Sequence, residues 1–399
     1  MSASRRRGGA RAARTRADAC PGAWRRHDAA DGALARFRPV GGAVSASELR
    51  VLTGAALAGG SPLELTSRGS LQVRGLDPRT ADDLADALRQ LPTTGAPLLD
   101  AQGRDIPCAV LASPRGAVAD PAAARVADAL RGRPDVPGRL LVALDDGSSD
   151  VRGQDADVTV VLDASDGSGA LLLDGVDTGL RHPDPAALAL AAVDAFLAVR
   201  GESWRVAELP DGVERVADAV RERECGVTGV GRQLRRTPGI PIDTPTPADP
   251  TRLGVDGQGV LEVLPRLGEI DARTVGVLVG LLDAGATLRV TPWRTLVLRD
   301  LVEPDAAVRA LDALVETAQG SRWAGLSACV GAPRCAKSHT DVRGDLADAV
   351  AAGRAGGQVR AHWIGCHRAC GTPGGRVAVV EALPTGGYRT VVRAGRVTR

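Results

Sequence analysis

At 399 residues the chain is too long for one hydrophobic core and predicts roughly two to four domains. Its 44% hydrophobic and 25% charged content is that of an ordinary globular protein, and a formal net charge of +2 excludes a body built to bind nucleic acid. No apolar run approaches the ~20 residues that cross a bilayer, so no membrane partner is expected. The start, MSASRRRGGARAARTRADA, carries six arginines and one aspartate but no apolar core of a signal peptide. It reads as a disordered basic tail over residues 1–19, or as a start codon set too far upstream. Of the 50 lysines and arginines a single one, Lys337, is lysine, which reads as genomic base bias. Seven cysteines suit a reducing cytoplasm better than a disulfide framework.

Residues 20–92 predict the first folded unit. LARFR (34–38) reads as a strand and Gly41-Gly42 as a turn, after which Ser45 and Glu48 form a capping box for a helix from Ser47 to Leu57. Gly59-Gly60 lead into LELTSRGSLQVRGL (63–76), read as one strand. A helix from Thr80 to Leu91 follows, with Leu84, Leu88 and Leu91 at helical spacing. Residues 93–230 alternate strands with helices as an α/β unit: IPCAVLASP, RLLVALDD, ADVTVVLD and GALLLDG are the strands, and 182–202 is the clearest helix. A proline-rich stretch within 231–254 marks a linker between halves. Residues 255–304 predict a second half-domain. Residues 305–399 predict a final α/β unit that opens with a helix from Ala306 to Gln319 and closes with two strands, GRVAVVEAL and GYRTVVRAG.

The half-domains are related. LELTSRGSLQVRGL (63–76) aligns without gaps on LRVTPWRTLVLRDL (288–301), with Leu63/Leu288, Thr66/Thr291, Leu71/Leu296, Arg74/Arg299 and Leu76/Leu301 identical. Upstream, Asp271 stands where Ser45 caps the first copy. Two copies of a strand–helix–strand–helix unit predict an internally duplicated α+β fold with pseudo-twofold symmetry.

Four of the cysteines carry the chemistry. Cys329 and Cys335 are spaced C-x5-C, and Cys366 and Cys370 are spaced C-x3-C. Four thiolates so arranged can hold an iron–sulfur cluster, one soft sulfur per iron. Zinc is the chemical competitor, although its pairs usually sit two to four residues apart. Gly331, Pro333, Gly365 and Gly371 suit loops wrapped closely around an inorganic core. Cys20 and Cys225 read as incidental thiols. Gly-rich runs such as RAGGQ (354–358) lack the strand–GxGxxG–helix context of a dinucleotide site, so electrons are expected from a separate reductase.

The cysteine spacing resembles the sulfite/nitrite reductase superfamily, and CPG (20–22), RFRPVGG (36–42) and TPWR (291–294) resemble its precorrin-3B synthase branch. The resemblance implies paired ferredoxin-like units plus two α/β domains, a cofactor cleft between the halves, and a 4Fe–4S cluster on Cys329, Cys335, Cys366 and Cys370. Cys370 would bridge to the iron of a siroheme where one is bound. A polyanionic tetrapyrrole would be gripped by Arg38, by Arg68 and Gln72 of a T-x-R-x-x-x-Q motif, by Arg139 and by Arg294, because guanidinium groups bind carboxylates bidentately. Trp293 would stack on the macrocycle or anchor the interface of the halves. Two positions that are cationic in sulfite reductases fall on Cys108 and Leu141, which speaks against tight binding of a compact dianion.

The activity so implied is an oxygen-dependent monooxygenase of aerobic cobalamin synthesis. Its substrates would be precorrin-3A and dioxygen; it would hydroxylate C20 and close a lactone. A mononuclear non-haem iron is implied as well, with histidine its natural ligand. None of His27, His182, His339, His362 and His367 stands in a ligand-like spacing, and each reads as a loop or supporting residue. The alternatives are a siroheme-dependent nitrite or sulfite reductase and a non-catalytic iron–sulfur electron carrier.

Overall fold

The structure, a computed structural model, describes residues 20–92, 96–226, 235–236, 251–356 and 360–393. The basic tail and most of the proline-rich stretch lie outside these residues.

Two five-stranded sheets form the duplicated core. The first runs His27–Ala29, Gly32–Phe37, Leu71–Leu76, Leu63–Leu65, Glu269–Ile270; the second runs Gly254–Val255, Leu261–Val263, Leu296–Arg299, Thr287–Val290, Ala43–Val44. Each sheet thus ends on a strand lent by the other repeat. Glu269 and Ile270 pair with Glu64 and Leu63, while Ala43 and Val44 pair with Arg289 and Leu288. The helices Ala46–Ala58 and Ala272–Asp283 cover the sheets, and Leu49, Leu52, Leu71 and Val73 join Leu261, Leu278, Leu296 and Leu298 in one hydrophobic cluster. Each of these leucines and valines is at most 1% exposed, so the repeats share a core instead of owning one apiece.

Local chemistry sets both helix starts. The Glu48 amide donates to Ser45 Oγ at 3.2 Å and the Ser45 amide to Glu48 Oε2 at 2.9 Å, completing the expected capping box. In the second copy the Thr274 amide donates to Asp271 Oδ1 at 2.7 Å. The preceding turns need positive φ, met by Gly41 (55°) and Gly42 (79°) and by Leu267 (58°) and Gly268 (73°). A Cβ on Gly42 would lie 2.3 Å from the Val290 carbonyl oxygen, so the turn of one repeat packs directly on the hairpin of the other.

Several expected elements change shape. The stretch 63–76 is a hairpin, Leu63–Leu65 and Leu71–Leu76, and its copy is likewise Thr287–Val290 and Leu296–Arg299. The reason lies in the tips. Thr66 Oγ1 accepts the Ser70 amide at 3.1 Å and Thr291 Oγ1 the Thr295 amide at 3.0 Å, closing both turns. The second helix starts earlier, Pro78–Arg89, because Asp77 caps it and Pro78 fits its first turn. The helix 182–202 shortens to Pro185–Val199, capped by Asp184. The helix expected over 306–319 is Pro304–Leu311, and Ala307 and Leu311 bury in the shared core.

Beside this core lies a six-stranded sheet in which Ala109–Ala112, Leu141–Asp145 and Val158–Leu162 run parallel. A four-stranded sheet holds Leu326–Ala328, Ala361–Ile364 and Val377–Ala382 in parallel, with Tyr388–Arg393 antiparallel at its edge. No helix among the described residues is long and apolar enough to cross a membrane.

Candidate active site

The cysteine pairs follow two adjacent parallel strands: Cys329 and Cys335 come after Leu326–Ala328, Cys366 and Cys370 after Ala361–Ile364. Carboxyl ends of neighbouring parallel strands form a natural crevice. The loops are sewn together by the Cys329 amide donating to the Trp363 carbonyl at 2.9 Å and the Gly365 amide to Cys329 Sγ at 3.2 Å. Burial first, then the charges of Cys366 and Cys335, pushes the Cys370 thiol up; burial also raises that of Cys329, with Cys370 and Cys366 adding to it. The two pairs thus sit at the ends of neighbouring strands, and none of the four thiols is in a disulfide. Among the described residues no group of three His, Cys, Asp or Glu side chains is arranged to hold a metal ion. The chemistry of the four donors, all sulfur and none spent on a disulfide, suits an iron–sulfur cluster with each thiolate on its own iron.

Cationic side chains hold the carbonyls of these loops. Arg343 Nε donates to the Cys329 carbonyl (3.2 Å), Arg74 Nη2 to that of Arg334 (3.4 Å), and Arg294 Nη2 to that of Gly371 (2.6 Å). Buried His362 sets Nε2 3.0 Å from the Cys370 carbonyl. A carbonyl only accepts, so Nε2 carries the proton and Nδ1 accepts from Ser327 Oγ at 2.9 Å. Behind the clamps, Glu64 and Glu269 bind Arg343, and Glu269 also takes Arg334 Nη2 at 2.8 Å.

In front of Cys370 opens a cavity of about 1230 Å³. It is larger than most small-molecule pockets, which run to ~1,000 Å³. Arg36, Arg38, Arg68, Arg139, Arg205 and Arg368 line it with three acids, Asp155, Glu208 and Asp211, and Cys370 and residues 371–374 line it too. Burial first, then repulsion from Arg38, lowers Arg36 to about 10; burial, then Arg205, does the same to Arg68. Arg205 is fixed by buried Asp157, whose carboxylate accepts from Arg205 Nε (2.6 Å) and from the Val206 and Leu141 amides (both 2.9 Å). Arg139 lies over the Trp204 ring, 5.8 Å from its centroid. A side chamber of about 570 Å³ shares Cys20, Arg38 and Gly138 with the main cavity.

The residues singled out from sequence divide. Arg38, Arg68 and Arg139 line the cavity. Gln72 does not: its amide is spent on Glu64 (2.7 Å) and Arg36 (2.8 Å), so it orients Arg36 instead of reaching a ligand. Arg294 also faces away, buried against the cysteine loop. Trp293 packs with Ala109, Leu111, Leu141 and Val151 and donates Nε1–H to buried Glu262 at 2.7 Å, which makes it the interface anchor and not a stacking platform. Cys108 is fully buried in the neighbouring core, its thiol pushed up to about 12 by burial, and Leu141 lies in the Trp293 cluster. Of the histidines only His362 supports the cysteine loops by a side-chain bond; His27, His339 and His367 are exposed and His182 accepts the Asp184 amide.

Arg36, Arg205 and Arg368 escaped the sequence reading. Arg36 stands two residues before Arg38 and so shares its face of the chain, and Arg368 lies between two of the cysteines; both were detectable signals. Arg205 had none, since it arrives from a loop remote in sequence.

Residues 27–91 match the family model of the nitrite/sulfite reductase ferredoxin-like half domain. The fold is similar to that of the NirA protein of Mycobacterium tuberculosis, with a TM-score of 0.70 at 20% identity, over 91% of this chain and 74% of that one. No curated protein matches by sequence. The protein is thus an internally duplicated α+β chain with the nitrite/sulfite reductase fold, and its first repeat carries that family's ferredoxin-like half domain.

Proposed function

We propose that this protein is an oxidoreductase that holds a polycarboxylate tetrapyrrole beside an iron–sulfur cluster on Cys329, Cys335, Cys366 and Cys370. The observation that carries the reading is one cavity lined by six arginines and by Cys370. When bound, the cluster supplies one-electron transfer. The chain's own part is to bind and orient: Arg36, Arg38, Arg68, Arg139, Arg205 and Arg368 neutralise carboxylates, and the His362 and Arg294 clamps fix the Cys370 loop against the ligand. An electron carrier without a substrate would have no use for a cavity of this size and charge.

The half-domain match and the fold similarity favour, within this class, a siroheme-dependent reductase of nitrite or sulfite. One observation favours the precorrin-3B synthase reading instead. Cys108 and Leu141, which the resemblance sets at positions cationic in sulfite reductases, are sealed in hydrophobic cores, which weakens the case for a compact dianion as substrate. The absorption spectrum of protein purified without oxygen from siroheme-making cells separates the two. Stoichiometric sharp tetrapyrrole bands support the reductase. A broad absorbance that bleaches with dithionite, with no such bands, supports a synthase whose cavity receives its tetrapyrrole as substrate. Protein containing neither iron nor sulfide would overturn both.

A further inference from the structure

Arg294 combines three costs at one residue. Its φ of 64° is a left-handed conformation that side chains rarely adopt, and its counterpart in the first repeat is Gly69, at 62°. It is 6% exposed. Among the described residues no carboxylate lies within ion-pair distance of its guanidinium. The charges that act on it most are those of Arg343 and Arg360, and the acid that offsets them, Glu64, is already bound to Arg343. A buried charge without a partner is expensive and persists only where something offsets it. Its guanidinium donates to the Gly371 carbonyl at 2.6 Å, one residue past Cys370.

We propose that Arg294 is the counter-charge of the iron–sulfur cluster, a positioning residue that raises the cluster's reduction potential while pinning the Cys370 loop. This rests on the cluster reading above. Four thiolate ligands bring negative charge to the loops that Arg294 faces, and reduction adds one electron more, so a fixed buried cation favours the reduced state. Neutral residues at 294 remove that preference; the backbone strain remains the same for any side chain with a Cβ.

The test compares holoprotein with Arg294→Met and Arg294→Lys, after iron and sulfide are counted in each, by dye-mediated redox titration. The Met variant is expected to shift the reduced-to-oxidised ratio at a fixed potential at least tenfold towards oxidised, about 59 mV for a one-electron couple. The Lys variant keeps the charge and should stay near the parent. An unchanged potential in a fully loaded Met variant overturns the proposal. Should that variant fail to keep its cluster, urea unfolding of the cluster-free proteins decides. A charge that lacks its partner predicts cluster-free Arg294→Met to be at least as stable as the cluster-free parent, whereas lower stability marks a merely structural residue and overturns the proposal. A parent protein without iron and sulfide would instead remove the cluster reading, and this inference with it.

Discussion

The two hairpin tips share a backbone and have opposite employment. Thr66 and Thr291 close them through the same hydroxyl-to-amide bond, and Gly69 and Arg294 occupy the same left-handed position. Yet the first tip presents Arg68 to the cavity, its Nη2 donating to the Arg139 carbonyl at 2.8 Å, while the second drives Trp293 into a hydrophobic socket and Arg294 against the cysteine loop. Duplication therefore supplied two copies of one turn. Divergence at two adjacent positions made one a cavity-facing surface and the other a clamp on the Cys370 loop. A motif recognised by its backbone need not carry its function from copy to copy.

This contrast can be broken by substitution. The largest effect belongs to the cysteine loops beside the second tip. Cys335→Ser should abolish cluster binding and redox activity, checked by iron and sulfide analysis; a full cluster in that variant would remove Cys335 from the ligand set. Trp293→Ala should cost about 3–5 kcal/mol of stability in urea unfolding, because it empties a packed socket and strips Glu262 of a donor. Arg68→Ala, at the matching position of the first tip, should leave the unfolding midpoint nearly unchanged and weaken tetrapyrrole binding by about 1.5–3 kcal/mol in a spectroscopic titration. If Arg68→Ala unfolds the protein as readily as Trp293→Ala, the division of labour is wrong. Smallest are the caps: Ser45→Ala and Asp271→Ala should each cost ~1 kcal/mol, equal losses being the signature of what the repeats still share.

The parts legible in the sequence were those set by neighbours along the chain. The capping box at Ser45 and Glu48 needs only four residues, and the cysteine pairs declare themselves by spacing. The hairpins were missed because Leu63, Leu65, Leu71 and Val73 keep the same odd-numbered register on both sides of the tip, as one continuous strand would. The left-handed residue that marks the turn is a glycine in one copy and an arginine in the other. Arg294 was expected at the ligand for the same reason that Arg68 was, and nothing local distinguishes a guanidinium aimed at a cavity from one aimed at a carbonyl. The exchange of Ala43–Val44 for Glu269–Ile270 is a partnership across more than half the chain, beyond the reach of any local pattern.

That exchange also has a clock in it. The edge of Leu63–Leu65 finds its partner only when Glu269 and Ile270 have been made, some 200 residues later. At ~5–20 residues per second, a ribosome leaves that edge and the core beneath it open for about 10–40 s. The first half of the protein must therefore wait for the second, exposed meanwhile to any other strand that would pair with it. A fragment ending before residue 269 inherits that wait permanently. It should be recovered from cells as aggregate, however well its own helices are capped.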